Sequence, residues 1–300
     1  MEIEEIFVKY SNAMSQIYLS QRAVQGSAKK ELIELVSYEK SLDSNTELKE
    51  LSLSLHNMMF RIAQNGSPYF FSHQKISIDD KKKAIVFHKN KQYQWLLAEA
   101  YEIFVDFVEE AYAFAGHINN NFWLLSDYGN ISLSDIKSKN FEWFSQQAKK
   151  KSKAPESIFN RFREKLPRVK SIEEKNELQV NLRFAIVLIE HLRHIIVHKR
   201  GVVSNKELFI ENVLKKSALF NCGSRDAEHR EFIGSFFGAG EYCNLISILE
   251  VQADTGTPLN VHFNIFEMLC NYLMAYAHFL TECLSSTMSP VGASAVKEVV

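Results

Sequence analysis

The chain has little of what breaks or staples a fold. Its 300 residues include only 5 prolines and 11 glycines, which excludes a collagen-like fibre and a low-complexity linker protein. The four cysteines, Cys222, Cys243, Cys270 and Cys283, show neither C-x-x-C pairing nor zinc-ligand spacing, so neither a disulfide scaffold nor a zinc finger is indicated. An excess of one charge is also missing: 35 Lys and Arg face 36 Asp and Glu, for a formal net charge of −1. Any surface for a polyanion must then be a local patch. A clean apolar run is absent too. The most membrane-like window, 263–284, is interrupted by Glu267, Asn271, His278 and Glu282, at i, i+4, i+11 and i+15 on one helical face. That pattern predicts a packed helix and no membrane span. The opening MEIEEIFVKY is acidic and amphipathic, unlike the basic and then apolar start of a signal peptide. The expectation is a cytoplasmic protein with reduced thiols and no membrane partner.

What is present is aromatic and apolar. Hydrophobic residues make up 46% of the chain and include 22 Phe and 11 Tyr. With so few breakers, this predicts long elements and an all-α fold, mainly a helical bundle with a small β-hairpin or strand insertion. The organisation expected is an N-terminal helical region over 1–66, a hairpin or linker over 67–89, a helical bundle over 90–286 and a flexible tail over 287–300. Within the first region the spacing predicts helices over 3–23 and 28–38 and a third from after residue 45 to about 63. Gln64-Asn65-Gly66-Ser67-Pro68 is the strongest breaker and is taken as a domain boundary. KISIDDKKKAIVF, 75–87, reads as a hairpin around a charged turn. Further helices are expected over 91–117, 133–150, 178–199, 204–216 and 260–284. Gly201 is expected to stop the 178–199 helix, and Ser204 with Glu207 to cap the 204–216 helix. A polar loop (119–132), a basic connector, a glycine-bearing insertion (217–242) and a strand (244–251) complete the chain.

The informative segment lies at the end of the 178–199 helix: Ile189-Glu190-His191-Leu192-Arg193-His194-Ile195-Ile196-Val197-His198-Lys199-Arg200-Gly201. At 100° per residue Ala185, Leu188, Ile189, Leu192, Ile195 and Ile196 form an apolar arc. Arg183, Glu190, His191, Arg193, His194 and His198 share the opposite one. Ile186 and Val197 intrude on the polar arc, which a partly buried interface explains better than a solvated face. The plain reading is a solvated helix end whose cations complement the helix dipole.

Arg193-His194-x-x-x-His198 resembles the signature motif of the HEPN superfamily, an Arg, a polar residue and three more before His. The upstream Glu190 and the basic residues with Gly201 downstream are similar to many members. The resemblance is close over the motif helix, loose over about 90–286, and does not reach the N-terminal third. It implies an all-α bundle with the motif near the end of a long helix. It also implies a metal-independent endoribonuclease of the toxin–antitoxin, abortive-infection or CRISPR-associated kind, needing no metal or other cofactor, with RNA as partner and a cognate antitoxin or regulatory protein as another.

The residues suit that chemistry. RNA is cleaved without a metal when its 2′-OH attacks the adjacent phosphorus, leaving a 2′,3′-cyclic phosphate and a 5′-OH. Histidine, with an ordinary pKa of about 6.5, can take one proton and supply the other near neutrality. Arginine stays charged and forks onto phosphoryl oxygens. The expected roles are His198 as acid/base group, Arg193 as phosphate clamp, His194 as an assisting group and Glu190 holding Arg193 or a histidine in place. His191 is a weaker candidate. One chain presents a single Arg193 and a single His198, so a homodimer joined through the motif helix is expected to set two of each across one cleft.

Other signals carry bland readings beside sharp ones. Residues 149–170 hold nine Lys and Arg against two Glu, with Phe159 and Phe162 interleaved. Lys149, Lys150, Lys151, Arg161 and Arg163 are candidate RNA-binding cations, set against the reading of a solvated connector. Glu99, Glu102, Asp106, Glu109 and Glu110 stripe one helix and read as a solvated face or a partner for basic residues rather than a metal site. FIGSFFGAGEY, 232–242, lacks the Lys-Ser/Thr of a phosphate-binding loop and reads as a mobile loop or lid, with Arg225, His229 and Arg230 nearby. The remaining histidines read as structural. Two non-enzymatic readings stand beside the nuclease: a HEPN-type module that binds nucleotide, RNA or protein without cleavage, and a helical scaffold.

Overall fold

A computed structural model describes residues 2–42, 54–151, 154–220, 224–253 and 261–288. The fold is mainly α. Helices α1 (Ile3–Leu42) and α2 (Ile78–Ile118) flank a hairpin of β1 (Ser54–Arg61) and β2 (Pro68–Ile76). Short helices follow: α3 (Leu133–Ile136), α4 (Phe141–Lys149), α5 (Glu156–Lys165) and α6 (Pro167–Glu174). Then come α7 (Leu182–Lys199), α8 (Lys206–Lys216), α9 (Ser224–Gly234), strands β3 (Glu250–Ala253) and β4 (Val261–Asn264), and α10 (Ile265–Met288). Both sheets are two-stranded and antiparallel. Among the described residues no helix is long and apolar enough to cross a membrane. The chain divides into two compact units, residues 19–94 and residues 1–18 with 95–300.

In the 19–94 unit, Gln21 Nε2 donates to the buried Tyr93 hydroxyl at 2.7 Å, and Lys82 pairs with Glu39 at 2.6 Å. Local chemistry here differs from the sequence expectation in three ways. The break expected after residue 23 is missing because a glycine inside a helix costs only about 1 kcal/mol, and Gly26 is carried within α1. The third helix expected before residue 63 is corrected over its described part: 54–61 is a strand, in which Met58 faces Phe71, Met59 faces Phe70 and Phe60 faces Tyr69. The Gln64–Pro68 breaker is the turn of that hairpin, with Gly66 at φ +70° and Ile62 N donating to Ser67 O at 2.9 Å. The hairpin expected over 75–87 is helical from Ile78. Its start is a capping box, in which Asp80 N donates to Ser77 Oγ at 3.1 Å and Ser77 N to Asp80 Oδ2 at 3.0 Å.

The second unit holds the main core. Ile3, Ile6, Tyr10 and Met14 of α1, Leu97, Phe104, Val108 and Ala111 of α2, Leu188 and Leu192 of α7, and Phe266, Leu273 and Leu280 of α10 are all buried. α10 packs against α6 and α7. At the end of α2 the Trp123 indole stacks on Tyr112 at 4.9 Å and 12°, and its Nε1 donates to Tyr112 O at 2.8 Å. Gly116 makes that approach possible, since a Cβ there would collide with the Trp123 ring. Gly116→Ala is therefore expected to destabilise by about 1–3 kcal/mol through overpacking, read as a lowered urea midpoint. An unchanged midpoint would show that the ring has room to move.

The basic connector is corrected to two helices, α5 and α6, and its aromatics are core: Phe162 is fully buried and Phe159 nearly so. The 133–150 helix is two short ones, α3 and α4, the second capped by Asn140, whose side chain accepts from Trp143 N at 3.1 Å. Asn205, not Ser204, caps α8, accepting from Leu208 N at 3.0 Å. The glycine-bearing segment is likewise no lid. Ile233, Phe236 and Ile246 are fully buried, and the backbone is stitched to the end of α7 by Val203 N donating to Asn244 O at 2.9 Å and Ile246 N to Gly201 O at 2.8 Å. The strand expected over 244–251 is reduced to isolated bridges at Leu245 and Ile246, with β3 starting at Glu250. Cys270 and Cys283 are buried free thiols and Cys243 an exposed one. Cys222 lies outside the described residues, as does the tail expected over 287–300 from residue 289 on.

Candidate functional site

Helix α7 starts where Asn181 accepts from Phe184 N at 2.9 Å. Its apolar arc is buried as the periodicity requires. Ile186, one of the two intruders on the polar arc, is buried as well, while Val197 is exposed. The helix ends with Arg200 and Gly201 both at positive φ, +56° and +77°, and Gly201 N donating to Ile195 O at 3.0 Å. The stop is thus shared by an arginine and the expected glycine. It leaves the motif in the last two turns, beside the segment that enters α8.

Between the polar arc of α7, the start of α8 and one turn of α2 lies a cleft of about 590 Å³. Glu190, His191, Arg193, His194 and Lys199 of α7 line it. Tyr101 and Glu102 of α2 form one wall and Asn205, Leu208 and Lys216 another. His198 does not line the cleft. It is exposed beside it, its ring centroid 4.7 Å from that of His194. The structure therefore brings Arg193, His194 and Glu190 into one cleft and His198 to its rim.

Two expected supporting roles are corrected. Glu190 does not hold Arg193 or a histidine; its Oε1 accepts from Lys216 Nζ at 2.7 Å. Arg193 is held instead by Glu102, across from α2. The pair is partly exposed, with side-chain accessibilities of 28% and 53%. Such pairs are worth at most about 1 kcal/mol, so a better anion can displace the carboxylate. His191 lines the cleft with its Nδ1 2.8 Å from Val187 O and its ring edge-on to Phe209.

The electrostatics favour the neutral form of two imidazoles, His194 and His191. Burial, and then the cationic neighbours His198, Lys199 and Arg193, lower the pKa of His194. Burial lowers that of His191. A histidine whose folded pKa lies below its unfolded value stabilises the fold fully above that unfolded value, about 6.5, and loses the contribution as pH falls through the lowered one. The urea midpoint is therefore expected to drop between pH 7 and pH 5, and to drop less in His191→Gln. An equal drop in both proteins would place the acid sensitivity elsewhere.

Two atoms at this site are buried without a hydrogen-bond partner among the described residues: the Tyr101 hydroxyl oxygen and Arg193 Nε. Each such atom costs about 1–3 kcal/mol. Burial, followed by the carboxylates Glu190 and Glu102, raises the Tyr101 pKa well above its ordinary value, so the phenol keeps its proton and can donate a hydrogen bond. Neither Tyr101 nor Glu102 was recognisable as a site residue from the sequence. The available signal was a tyrosine on an apolar helical stripe, where a hydroxyl demands a partner.

The candidate RNA-binding cations fare unequally. Arg161 is buried, donating through Nε to Phe122 O at 2.5 Å and through Nη2 to Trp123 O at 3.3 Å. Arg163 grips the buried Glu173 with two bonds of 2.7 and 2.9 Å. Lys151 pairs with Asp127 at 2.6 Å, with 6% of its side chain exposed. These three tie the fold together and present no free cation, a correction to the expected RNA surface. Lys149 and Lys150 are exposed, and the charge of Lys149 acts on Glu109. The acidic stripe partners cations: Glu102 takes Arg193 and Glu110 takes Lys9. Among the described residues no three His, Cys, Asp or Glu side chains are grouped to hold a metal ion. Arg230 pairs with Asp226 at 2.7 Å and His229 stacks edge-on against Phe184; the side chain of Arg225 lies outside the described residues.

No family model, curated protein or solved structure matches this chain. The geometry alone therefore says what the site can do. It offers a guanidinium paired with Glu102, two adjacent imidazoles of which His194 is biased toward its neutral form, and a further ammonium group from Lys199. That set can bind a phosphoryl group and move protons beside it.

Proposed function

We propose that the chain is a metal-independent endoribonuclease of HEPN type. The observation that carries the reading is the convergence of Arg193 and His194 in one cleft with the His198 ring beside that of His194 at its rim, tilted by 50° at 4.7 Å. In this reading Arg193 forks onto the phosphoryl oxygens and neutralises the charge that builds there. A neutral imidazole takes the 2′-OH proton, the 2′ oxygen attacks phosphorus, and the 5′ oxygen leaves with a proton from an imidazolium. His198 is the principal acid/base group and His194 its neighbour in the relay. The products are a 2′,3′-cyclic phosphate and a 5′-OH.

A homodimer through the end of α7 supports this chemistry by supplying the second histidine and arginine set. The exposed apolar side chains Val197, Val202 and Leu208 around the motif favour such a contact. Exposed Lys149 and Lys150 are the candidate cations left to guide an RNA backbone. A defence or toxin role, with a cognate antitoxin or regulator, belongs to the same proposal, as does a cytoplasmic setting.

The experiment is incubation of the purified protein with a mixed RNA pool in excess EDTA, with the fragment ends analysed. Cyclic phosphate ends are expected. Intact RNA, or cleavage that EDTA abolishes, would refute the reading.

A further inference from the structure

The cleft holds more polar capacity than the proposed chemistry uses. Tyr101 is 4% exposed, and its hydroxyl, like Arg193 Nε, is bonded to nothing among the described residues. Both belong to side chains that line the same cleft. Buried polar groups in folded proteins are nearly always paired, so two orphans at one cavity mark a partner that the chain itself does not provide. Arg193 Nε can only donate and the Tyr101 phenol is able to, so one accepting group would satisfy both. An anionic acceptor is best placed to compete with Glu102, which pairs with Nη2 of the same guanidinium. Lys199, in the same lining, adds to that preference, while Lys216 is engaged by Glu190 and Glu156. Leu208, Phe209 and Val203 add apolar surface to the wall that also carries Asn205 and Lys216, and that surface can cover a flat ring. A volume of about 590 Å³ is enough for one nucleotide unit.

We infer that this cleft is a phosphoryl subsite for one nucleotide unit of RNA, in which the Tyr101 hydroxyl and Arg193 donate to the phosphoryl oxygens and Glu102 occupies the guanidinium until that group arrives. The inference rests on RNA as the ligand of the proposed function, but it assigns binding to Tyr101 and gating to Glu102, neither of which is needed for proton transfer. Glu102 is then a built-in competitor: an exposed carboxylate that keeps the clamp neutral in the free protein and is exchanged for substrate.

The test uses the full chain and a mixed-sequence RNA oligonucleotide carrying 2′-O-methyl groups throughout, which binds but cannot be cut because its attacking hydroxyl is blocked. Affinity is read by fluorescence anisotropy. Tyr101→Phe is expected to weaken binding about tenfold, the scale of one hydrogen bond to a charged group, and Glu102→Gln to tighten it several-fold. Thermal melts separate binding from structure. The Tyr101 hydroxyl has no partner to lose, so Tyr101→Phe should melt no lower than the parent chain. Competition by a nucleoside 5′-monophosphate and by inorganic phosphate distinguishes a monoester from the diester. Displacement by RNA alone supports the diester assignment; preferential displacement by the monophosphate overturns RNA as the ligand.

Unchanged affinity in Tyr101→Phe, or no tightening in Glu102→Gln, overturns the subsite, as does a parent chain that does not bind the oligonucleotide. The nuclease reading fails separately. If unmodified RNA is never cut yet both variants shift binding as stated, the subsite stands without the enzyme. If RNA is cut and both variants bind like the parent, the reverse holds.

Discussion

On the proposed nuclease function, His198→Ala is expected to lower the rate of RNA cleavage by about 10²–10⁴-fold, the usual contribution of a positioned acid/base group, and to leave the melting temperature within about a degree or two of the parent. The second half follows from exposure: the His198 side chain is on the surface at the end of α7, and surface substitutions seldom move stability by more than about 0.5 kcal/mol. Arg193→Ala should cost a similar factor, since the guanidinium is the only cation of the motif fixed in the cleft by an ion pair. Single-turnover cleavage of an unmodified RNA in EDTA is the measurement. A His198→Ala protein that cuts at the parental rate removes the assignment. A loss of activity accompanied by a collapsed melting curve points to structure instead of chemistry.

The largest effect on stability is expected far from the motif, at Glu173. Its carboxylate is 1% exposed and takes three bonds: 2.7 and 2.9 Å from Arg163, and 2.7 Å from the Tyr276 hydroxyl. Because α6 carries Glu173, α5 carries Arg163 and α10 carries Tyr276, this one group joins three helices. Glu173→Ala leaves a largely buried guanidinium without its counter-ion and a buried phenol without its acceptor. The cost of breaking such a pair from one side is about 3–5 kcal/mol. Typical domains are stable by only about 5–15 kcal/mol, so the variant should unfold at a much lower urea concentration. Replacing both partners, Arg163→Met with Glu173→Leu, should recover part of the loss, because an apolar pair of similar size leaves no stranded charge. A single variant as stable as the parent would show that water reaches this site.

These two cases mark what the sequence determines. Binary patterning is local and strong in α7: the apolar arc predicted from 100° periodicity is the buried arc, and the polar arc faces a cleft. The absence of proline and glycine from long stretches likewise decides that the fold is mainly α, since nothing local opposes helix propagation. Capping chemistry is equally local. Ser77 with Asp80 starts a helix, and a reading that attended to β-branched residues instead of the box missed it. Met58 to Phe60 sat on the other side of the same ambiguity, because a short apolar run becomes strand or helix according to whether a partner strand lies across from it.

What only the tertiary structure decided is pairing at long range. Nothing in the sequence says that Arg193 meets Glu102, that Glu190 meets Lys216, or that Arg161 turns inward to the carbonyls of Phe122 and Trp123. A charged side chain has one identity and many possible partners, and its energy depends on distance and desolvation, which composition does not contain. A run of nine cations looks like a surface in one dimension. In three, burial converts Lys151, Arg161 and Arg163 into ties within the core. The same burial leaves the Tyr101 hydroxyl and Arg193 Nε without partners among the described residues, on side chains that line one cleft, an arrangement that exists only once α2 and α7 are packed together.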